Sequence, residues 1–487
     1  MPQMVTNDLG LLFKKFSMIK SLSKKILPEI LQKPFKELSS HMSLRQEKNG
    51  KCGELESFLL EAQWWEREKI EAWQLKRIQK TLRRAYEKVP GYCLLYREAG
   101  VKPEDIRSLR DVNKLPFTTK ALLRDNLKDF TARDVPPWQR KHVTTGGSSG
   151  TPFGFYHSAV NSWMESAFMH CGWRWAGWKP QERTAVLRGS FSGNRDEICQ
   201  IDRIRQQLHL SLYRLNPSTY PIYKEKLLNF LPLHLHAYPS TANLLADLVL
   251  ENRDESLFHF KTLLLGSENI FPSQREKLQM AFPEARIFSW YGHTEQAVLA
   301  PACERSDQYH AWPFYGLTEI VDEQGLGVDE DSIGELVGTS FWSEATPFIR
   351  YRTEDLAVRG ADRCPDCGRN FPMIQRVDGR KQDYVVVADG GLVSLTGLIF
   401  AQHFEAFSRL KSIQLQQDEI GEVLVRVLPG SGFSDQDGQE IQKKMVSACR
   451  GKLRVRILLV DSLPRTSRGK HLFLVQNLKL QKVRGGL

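Results

Sequence analysis

Trp290-Tyr291-Gly292-His293-Thr294-Glu295 is the stretch of this sequence that decides its fold. It begins where an apolar run at residues 285–290 ends, and a second apolar run, residues 260–265, ends at Gly266-Ser267-Glu268. Both runs have the length of a buried parallel strand and are bounded by turns. Because ligands of open α/β sheets bind beyond the carboxyl ends of the strands, the two polar segments are expected side by side at one sheet edge. The sequence therefore predicts an α/β fold with a binding site at this edge.

Four further polar segments occur in order around this stretch. A Gly/Ser/Thr-rich loop, residues 144–152, precedes it, and the segments 350–355, 379–380 and 469–470 follow it. The loop offers many backbone N–H groups and little side chain, which suits phosphate oxygens, although a flexible turn is the alternative. No Gly-Lys-Ser/Thr ends it, so it is not the P-loop of kinases and ATPases.

Side chains in these segments suit a nucleotide and its metal ion. The Tyr291 ring can stack on adenine, while Thr294 and Glu295 can take a phosphate oxygen and Mg²⁺. The alternative is a plain strand-end turn. Asp355 can accept both hydroxyls of a ribose, because one carboxylate takes two donors. Its alternative role is that of a turn aspartate paired with Arg352.

Lys470 lies in a loop bounded by proline and glycine near the carboxyl end of the chain. A single cation that bridges a carboxylate and an α-phosphate stabilises charge in a transition state. The alternative is a surface lysine near Arg465 and Arg468. Together with the upstream segments, the position favours a catalytic role.

Composition limits the class of protein. The 487 residues exceed what one hydrophobic core serves, and 41% hydrophobic with 26% charged residues is typical of a globular protein. The net charge of +11 favours anionic partners. No spanning helix or secretory signal is found, and the cysteines are too few for a disulfide scaffold, so a reducing, cytoplasmic location is predicted. No helix-turn-helix or RNA-stacking motif is present, so nucleic acid is not an expected partner.

Three domains are expected. Residues 1–50 are basic and amphipathic, and they could lie on the inner face of a membrane or pack on the main body. Residues 51–379 form a large domain, with helices predicted at 54–88 and 163–178. Residues 380–487 form a smaller domain with strands and with helices at 395–410 and 436–451.

A second constellation of residues has the spacing of a metal site. Cys364 and Cys367 are separated by two residues, and Cys303 with His310 could complete a tetrahedral Cys₃His zinc site. Eight cysteines in this long chain are too few for a disulfide scaffold. A redox Cys-x-x-Cys is the rival interpretation, but no strand-to-helix pattern surrounds it.

The ordered segments resemble those of the adenylate-forming superfamily of acyl-CoA synthetases, luciferases and peptide-synthetase adenylation domains. The likeness covers residues from about 140 to 475. Three N-terminal motifs make the chain similar to the phenylacetate-CoA ligase-like branch, and within it to relatives associated with capsular polysaccharide biosynthesis. These motifs are Val89-Pro90-Gly91-Tyr92, Leu115-Pro116-Phe117-Thr118-Thr119-Lys120 and His236-Ala237-Tyr238-Pro239-Ser240-Thr241.

The resemblance implies a large AMP-binding domain with mixed sheets and helices, and a small mobile α+β domain. It also implies a role for each matching position. The catalytic residues would be Lys470, Thr294 and Glu295. The nucleotide would contact Thr145, Gly146, Gly147, Ser148, Ser149, Gly150, Gly266, Ser267, Glu268, Tyr291, Gly292, Asp355 and Arg380. Metal ions would be held by Glu295 (Mg²⁺) and by Cys303, His310, Cys364 and Cys367 (Zn²⁺).

The implied activity is that of a ligase using ATP and Mg²⁺, in which a carboxylic acid forms an acyl-adenylate and is then transferred to CoA. An amine of a sugar or amino acid is the alternative acceptor, and an inactive membrane-surface scaffold is a further alternative. Family members have a Pro-x-x-Ile/Val-Glu turn after the hinge, but residues 387–397 here lack it. An apolar or aromatic acid pocket is suggested by several rings that could instead be core, among them Phe153, Phe155, Tyr156 and Tyr238. A homodimer is left open.

Overall fold

The computed structural model describes residues 50–144, 153–188, 197–270, 272–380, 384–390, 392–394, 398, 406, 409–449, 451–464 and 471–478. Several predicted features therefore lie outside the described residues: the N-terminal segment up to residue 49, the loop 145–150, the hinge at Asp383, and Lys470. Arg380 is described for its backbone alone. Within the described ranges, no helix is both long and apolar enough to cross a membrane.

The helices are α1 (Lys51–Ala62), α2 (Arg67–Lys88), α3 (Pro90–Glu98), α4 (Lys120–Asp125), α5 (Ala159–Trp175), α6 (Tyr220–Phe230), α7 (Pro239–Glu251), α8 (Pro272–Ala281) and α9 (Asp435–Ala448). The strands of the large part are β1 (Lys141–Thr144), β2 (Gly154–His157), β3 (Thr184–Leu187), β4 (Cys199–Asp202), β5 (Gln207–Leu210), β6 (His234–Ala237), β7 (Thr262–Gly266), β8 (Arg286–Gly292), β9 (Leu299–Pro301), β10 (Tyr309–His310), β11 (Gly316–Val321), β12 (Ile333–Ser340), β13 (Tyr351–Arg359) and β14 (Met373–Arg380). The remaining strands are β15 (Tyr384–Val386), β16 (Leu392–Ser394), β17 (Leu410–Gln417), β18 (Glu422–Pro429), β19 (Arg454–Leu459) and β20 (Leu474–Gln476).

A mixed sheet forms the centre of the large part, with strand order β4-β5-β3-β6-β7-β8-β9. Its five inner strands run parallel, and β4 and β9 are antiparallel edges. Leu263 and Leu265 belong to the core cluster that includes α7 and α8, whereas Leu264 belongs to the cluster that includes α5. Because β7 is buried on both faces, its sequence is continuously apolar rather than alternating.

A second, antiparallel sheet has the order β10-β14-β13-β12-β11. Its core includes rings that the sequence suggested for an acid pocket. Phe153 and Phe155 are fully buried and pack edge-on against Phe348. Their role is therefore core packing, and the pocket interpretation is wrong for these two residues.

The C-terminal part has its own sheet, β19-β18-β17-β20, and a β15-β16 hairpin. Ile441 and Met445 of α9 are fully buried with Val425 and Val427 of β18. The expected helix at 436–451 is present as α9. The helix expected at 395–410 is wrong at Leu410, which begins β17, and most of its other residues lie outside the described ranges.

Local signals account for several boundaries. Residues 54–88 form two helices as predicted, α1 and α2, and the aromatic-rich helix is α5. Thr119 caps α4, since its hydroxyl accepts a hydrogen bond from the Leu122 amide at 3.2 Å. Pro103 begins only a short 3₁₀ turn, in which the Asp105 carboxylate accepts from the Lys102 amide at 2.8 Å.

Candidate active site

The carboxyl ends of β7 and β8 place the two predicted polar segments next to each other. Gly266 and Trp290 are register partners, so Ser267, which follows β7, lies beside Tyr291 of β8. Gly266 must be glycine, because an added Cβ would come within 2.3 Å of the Trp290 ring. The prediction that these segments lie side by side at one sheet edge is confirmed.

Tyr291 and Asp355 are joined by a short hydrogen bond. The Tyr291 hydroxyl donates to Oδ2 of Asp355 at 2.6 Å. Burial, followed by the negative charge of Asp355, raises the pKa of Tyr291 well above its ordinary value, so the phenol stays a donor. Arg352 instead pairs with Glu335 at 2.7 Å. The alternative interpretation of Asp355 as the partner of Arg352 is therefore wrong.

Glu295 is almost fully buried, with 8% of its surface exposed. Its Oε1 accepts from the Tyr351 hydroxyl at 2.9 Å, and its Oε2 lies 3.1 Å from Nδ1 of His293. The Val298 amide donates to Nε2 of His293 at 3.2 Å, so the ring proton is on Nδ1 and points to Glu295. Burial acts to raise the pKa of Glu295, but its interactions with His293, with its own backbone amide and with Tyr351 outweigh burial and hold the pKa at about 2. The carboxylate is therefore anionic, as a magnesium ligand must be.

Glu268 connects the sheet edge to a helix and to the C-terminal part. Its carboxylate accepts from the amide and hydroxyl of Ser240, at 2.9 and 3.1 Å, in the first turn of α7. Oε1 also accepts from the backbone amide of His471 at 3.3 Å. A carboxylate is stabilised at a helix N-terminus by the unpaired amides there. The structure therefore places Glu268 in contact with His471 at the edge of the candidate site.

The structure describes some of the other predicted site residues and not the rest. Gly292 ends β8, and Thr294 lies in the turn that leads to Glu295. Arg380 is the register partner of Asp355, but its side chain lies outside the described part. The same holds for Lys470 and for the whole of the loop from Thr145 to Gly150.

Sequence reasoning missed four residues that hold the site together. Tyr351 and His293 orient Glu295, Ser240 binds Glu268, and Arg188 donates to the Ser267 hydroxyl at 2.8 Å. Tyr351 lies in the segment 350–355 and His293 in the segment 290–295, so a search of these segments for hydrogen-bond donors to Glu295 could have found both. Arg188 has no such signal, because only the order of the strands brings it to Ser267.

The predicted zinc ligands converge. The Sγ atoms of Cys303 and Cys364 are 3.8 Å apart, and Sγ of Cys367 lies 3.4 Å from Nε2 of His310. All four ligand atoms lie within 4.8 Å of one another. A tetrahedral site with Zn–S bonds of about 2.3 Å requires sulfur atoms about 3.8 Å apart, and a disulfide requires about 2 Å. The four residues therefore fit a zinc ion and not a disulfide.

The predicted zinc ligands come from the central sheet and the second sheet of the large part. Cys303 follows β9 of the central sheet, His310 belongs to β10, and the two other cysteines lie in the turn between β13 and β14. Burial, then the nearby Arg369, lowers the pKa of His310 to about 3. The imidazole is therefore neutral, the form that binds metal.

Solved structures with this fold define its class. A structure of 2-hydroxyisobutyryl-CoA ligase with 2-HIB-AMP, in the postadenylation state, matches with a TM-score of 0.68 and 19% identity. The match covers 83% of this chain and 89% of that one. An open conformation of that ligase with 2-HIB-AMP and CoA matches with a TM-score of 0.54, 19% identity and coverage of 83% and 91%. The chain has the fold of adenylate-forming CoA ligases.

Sequence relatives narrow the class. Phenylacetate-coenzyme A ligase of Escherichia coli (strain K12) is 28% identical over 66% of this chain and 73% of that protein. Protein CapK of Staphylococcus aureus is 22% identical over 76% of this chain and 82% of that protein. Residues 385–477 match the family described as the CapK C-terminal domain. The chain is thus a homologue of phenylacetate-CoA ligases and of CapK, and the resemblance seen in its motifs is confirmed.

Proposed function

We propose that this protein is an ATP-dependent, AMP-forming ligase that joins a carboxylic acid to CoA. The acid's oxygen attacks the α-phosphorus of ATP, the bond to the β-phosphate breaks, and pyrophosphate leaves. The CoA sulfur then attacks the acyl carbon and AMP leaves. The observation that carries this proposal is the meeting of Tyr291, Asp355 and an anionic Glu295 beyond the ends of β7 and β8. The AMP-forming ligases among its homologues and structural neighbours support it.

Each described side chain of the site has a role in this reaction. Asp355 would accept the ribose hydroxyls, with its carboxylate oriented by Tyr291. Glu295 would hold Mg²⁺, with its carboxylate oriented by Tyr351 and His293. The ion, when bound, neutralises charge on the phosphate oxygens. Segment 266–268 would form the wall of the adenine pocket.

The C-terminal part would supply the remaining charge. The loop from 145 to 150 is proposed to bind phosphate, and Arg380 the nucleotide, both on the sequence resemblance. Residues 380–487 are proposed to be a lid that turns about Asp383 and delivers Lys470 to the α-phosphate. The hydrogen bond from the His471 amide to Glu268 supports this role, because Lys470 directly precedes His471.

An amine is the second candidate acceptor. Residues 385–477 match the CapK C-terminal domain, and residues 387–397 depart from the turn that admits pantetheine in phenylacetate-CoA ligases. Amide formation on a sugar or amino acid in surface polysaccharide synthesis is therefore the alternative second step. The first step is the same in both proposals.

We also propose that Cys303, His310, Cys364 and Cys367 hold a structural Zn²⁺. Four protein ligands close the coordination shell, which is typical of structural rather than catalytic zinc. The ion would tie the turn after β9 to the turn between β13 and β14. Since β9 pairs with the end of β8, loss of the zinc ion would loosen β8, the strand that carries Tyr291.

Pyrophosphate exchange with a panel of acids and Mg·ATP tests the proposed function. Wild type is expected to exchange, Lys470→Ala is expected to lose exchange, and Lys443→Ala, which removes an exposed cation of α9, is the control. Wild type that exchanges with no acid would favour the inactive scaffold. Release of AMP with CoA, compared with release with amino sugars and amino acids, then identifies the acceptor.

A further inference from the structure

Arg188 lies directly after β3, at the sheet edge that carries the candidate active site. Its Nη1 is 2.5 Å from Nε2 of His236, and its Nη2 donates to the Ser267 hydroxyl at 2.8 Å. Its guanidinium carbon is 4.6 Å from the centre of the Tyr238 ring and 5.8 Å from that of Trp290. A cation thus lies among the ends of β3, β6, β7 and β8.

The described groups that touch this cation carry no negative charge. His236 is neutral, because its Nε2 accepts from Arg188, and burial together with Arg188 holds the pKa of His236 well below its ordinary value. Tyr238 and Ser267 offer hydroxyls. Glu268 attracts the guanidinium through its field, but among the described residues no carboxylate forms an ion pair with Arg188. A partly buried cation in such surroundings is stabilised by an anion that it can bind.

Arg188, which has no ion pair with a described carboxylate, lies beside the segments proposed for the nucleotide. Ser267 belongs to the segment 266–268 proposed for the nucleotide, and Trp290 directly precedes Tyr291. The guanidinium therefore contacts one of these segments and lies beside the other. Aromatic rings pack together beside Arg188. The centre of the Trp173 ring is 4.9 Å from that of His236 and 5.8 Å from that of Trp290. An uncharged acid side chain at this position would leave the guanidinium without a directly paired anion among the described residues.

We propose that the acid activated by this enzyme carries a second anionic group, and that Arg188 binds it. The inference rests on the function proposed above and specifies its substrate class as dicarboxylic acids. A guanidinium has five N–H donors. Among the described residues, His236, Ser267 and Tyr238 engage three of them, so two donors are available for the two oxygens of one carboxylate.

Matched pairs of acids test this inference. Each dicarboxylic acid (succinate, glutarate, adipate and homophthalate) is compared with its monomethyl ester in pyrophosphate exchange, with phenylacetate alongside. Wild type is expected to prefer the best diacid over its ester by about 30-fold in kcat/KM, the size of a charge-assisted pair. Arg188→Met is expected to bring that ratio to about 1 while the KM for ATP stays within about twofold. Arg183→Met, at the amino end of the same strand, is the control and should keep the wild-type ratio.

Three results would overturn the inference while leaving the ligase function in place. They are a wild-type preference for esters or phenylacetate, an unchanged diacid-to-ester ratio in Arg188→Met, and a rise in the KM for ATP with every acid, which would make Arg188 a nucleotide contact. If wild type exchanges with no acid, the ligase proposal fails instead. Calorimetric titration of the diacids then decides: binding lost in Arg188→Met supports the inference, and equal or absent binding contradicts it. If Arg188→Met does not fold, Arg188→Lys, with the charge but no planar fork, should show an intermediate ratio.

Discussion

The backbone amide of His471 donates a hydrogen bond to the carboxylate of Glu268, 203 positions earlier in the chain. The donor belongs to the C-terminal part and follows the predicted catalytic lysine, whereas the acceptor lies at the end of the strand beside Tyr291. A second contact between the two parts is the ion pair of Lys411 with Glu251, at 2.9 Å. The two contacts differ in what they position, because only the first is adjacent to the candidate site.

Glu268→Gln should slow the adenylation step. The substitution removes the charge that His471 and Ser240 hydrogen-bond, and bonds to charged groups contribute about 1.5–3 kcal/mol each. We expect the rate of pyrophosphate exchange to fall about tenfold or more. Glu251→Gln breaks the exposed pair with Lys411 and should change the rate by less than about twofold. Equal losses in both variants would contradict a special role for the His471 contact.

Tyr291→Phe should weaken ATP binding more than it slows chemistry. The variant removes the donor of the 2.6 Å hydrogen bond and leaves Asp355 without it. The loss of one such partner costs about 1–3 kcal/mol, so the KM for ATP should rise about tenfold. Tyr309→Phe, which removes a hydroxyl that accepts a hydrogen bond from the Ser289 hydroxyl at 3.3 Å, is the matched control. An ATP KM equal to that of the control would rule out a role for this hydrogen bond in holding the nucleotide.

The strand pattern of this fold could be predicted where a segment is buried on both faces. The run at β7 is buried at every residue and continuous in the sequence, and the order of β7 and β8 along the chain matches their order in the sheet. The contact of Arg188 with Ser267 could not be predicted, because β6 pairs between β3 and β7, and neighbours across a sheet leave no mark in a single sequence.

The role of a side chain could be predicted only where residues close to it in the sequence indicate that role. The spacing of Cys364 and Cys367 predicts metal ligands, and Cys303 with His310 supplies the residue types that complete a tetrahedral Cys₃His set. All four residues converge in the structure. Phe153 was ambiguous, since aromatic residues after a glycine loop suit a pocket and a core equally well. Packing against Phe348, which is almost 200 residues away, decided for the core.

Glu295 should make stability depend on pH in acid. Its folded pKa of about 2 is below the unfolded value of about 4.3, so the stabilisation is complete above pH 5 and is lost as the pH falls toward 2. The contribution corresponds to roughly 3 kcal/mol. Glu295→Gln removes this titration, so the gap between the urea midpoints of wild type and variant should narrow between pH 5 and pH 2.5. A constant gap over this range would show that Glu295 is not held ionised by its neighbours.

Removal of the proposed zinc should destabilise the large part. Purified wild type is expected to contain about one equivalent of zinc, because four neutral or anionic ligands lie at the distances that a structural site requires. Cys364→Ser should lose most of the metal and lower the thermal midpoint by about 5 °C or more, since ligand loss costs several kcal/mol in such sites.

Cys199→Ser is the control for this substitution, because Cys199 lies on the edge strand β4 and is not among the four ligands. It should keep the zinc content and the thermal midpoint of wild type. A folded wild-type sample with less than about half an equivalent of zinc would contradict the site, since a closed shell of four protein ligands retains its metal through purification. Loss of exchange activity in Cys364→Ser, with ATP binding weakened as in Tyr291→Phe, would further connect the metal to the strand that β9 pairs with.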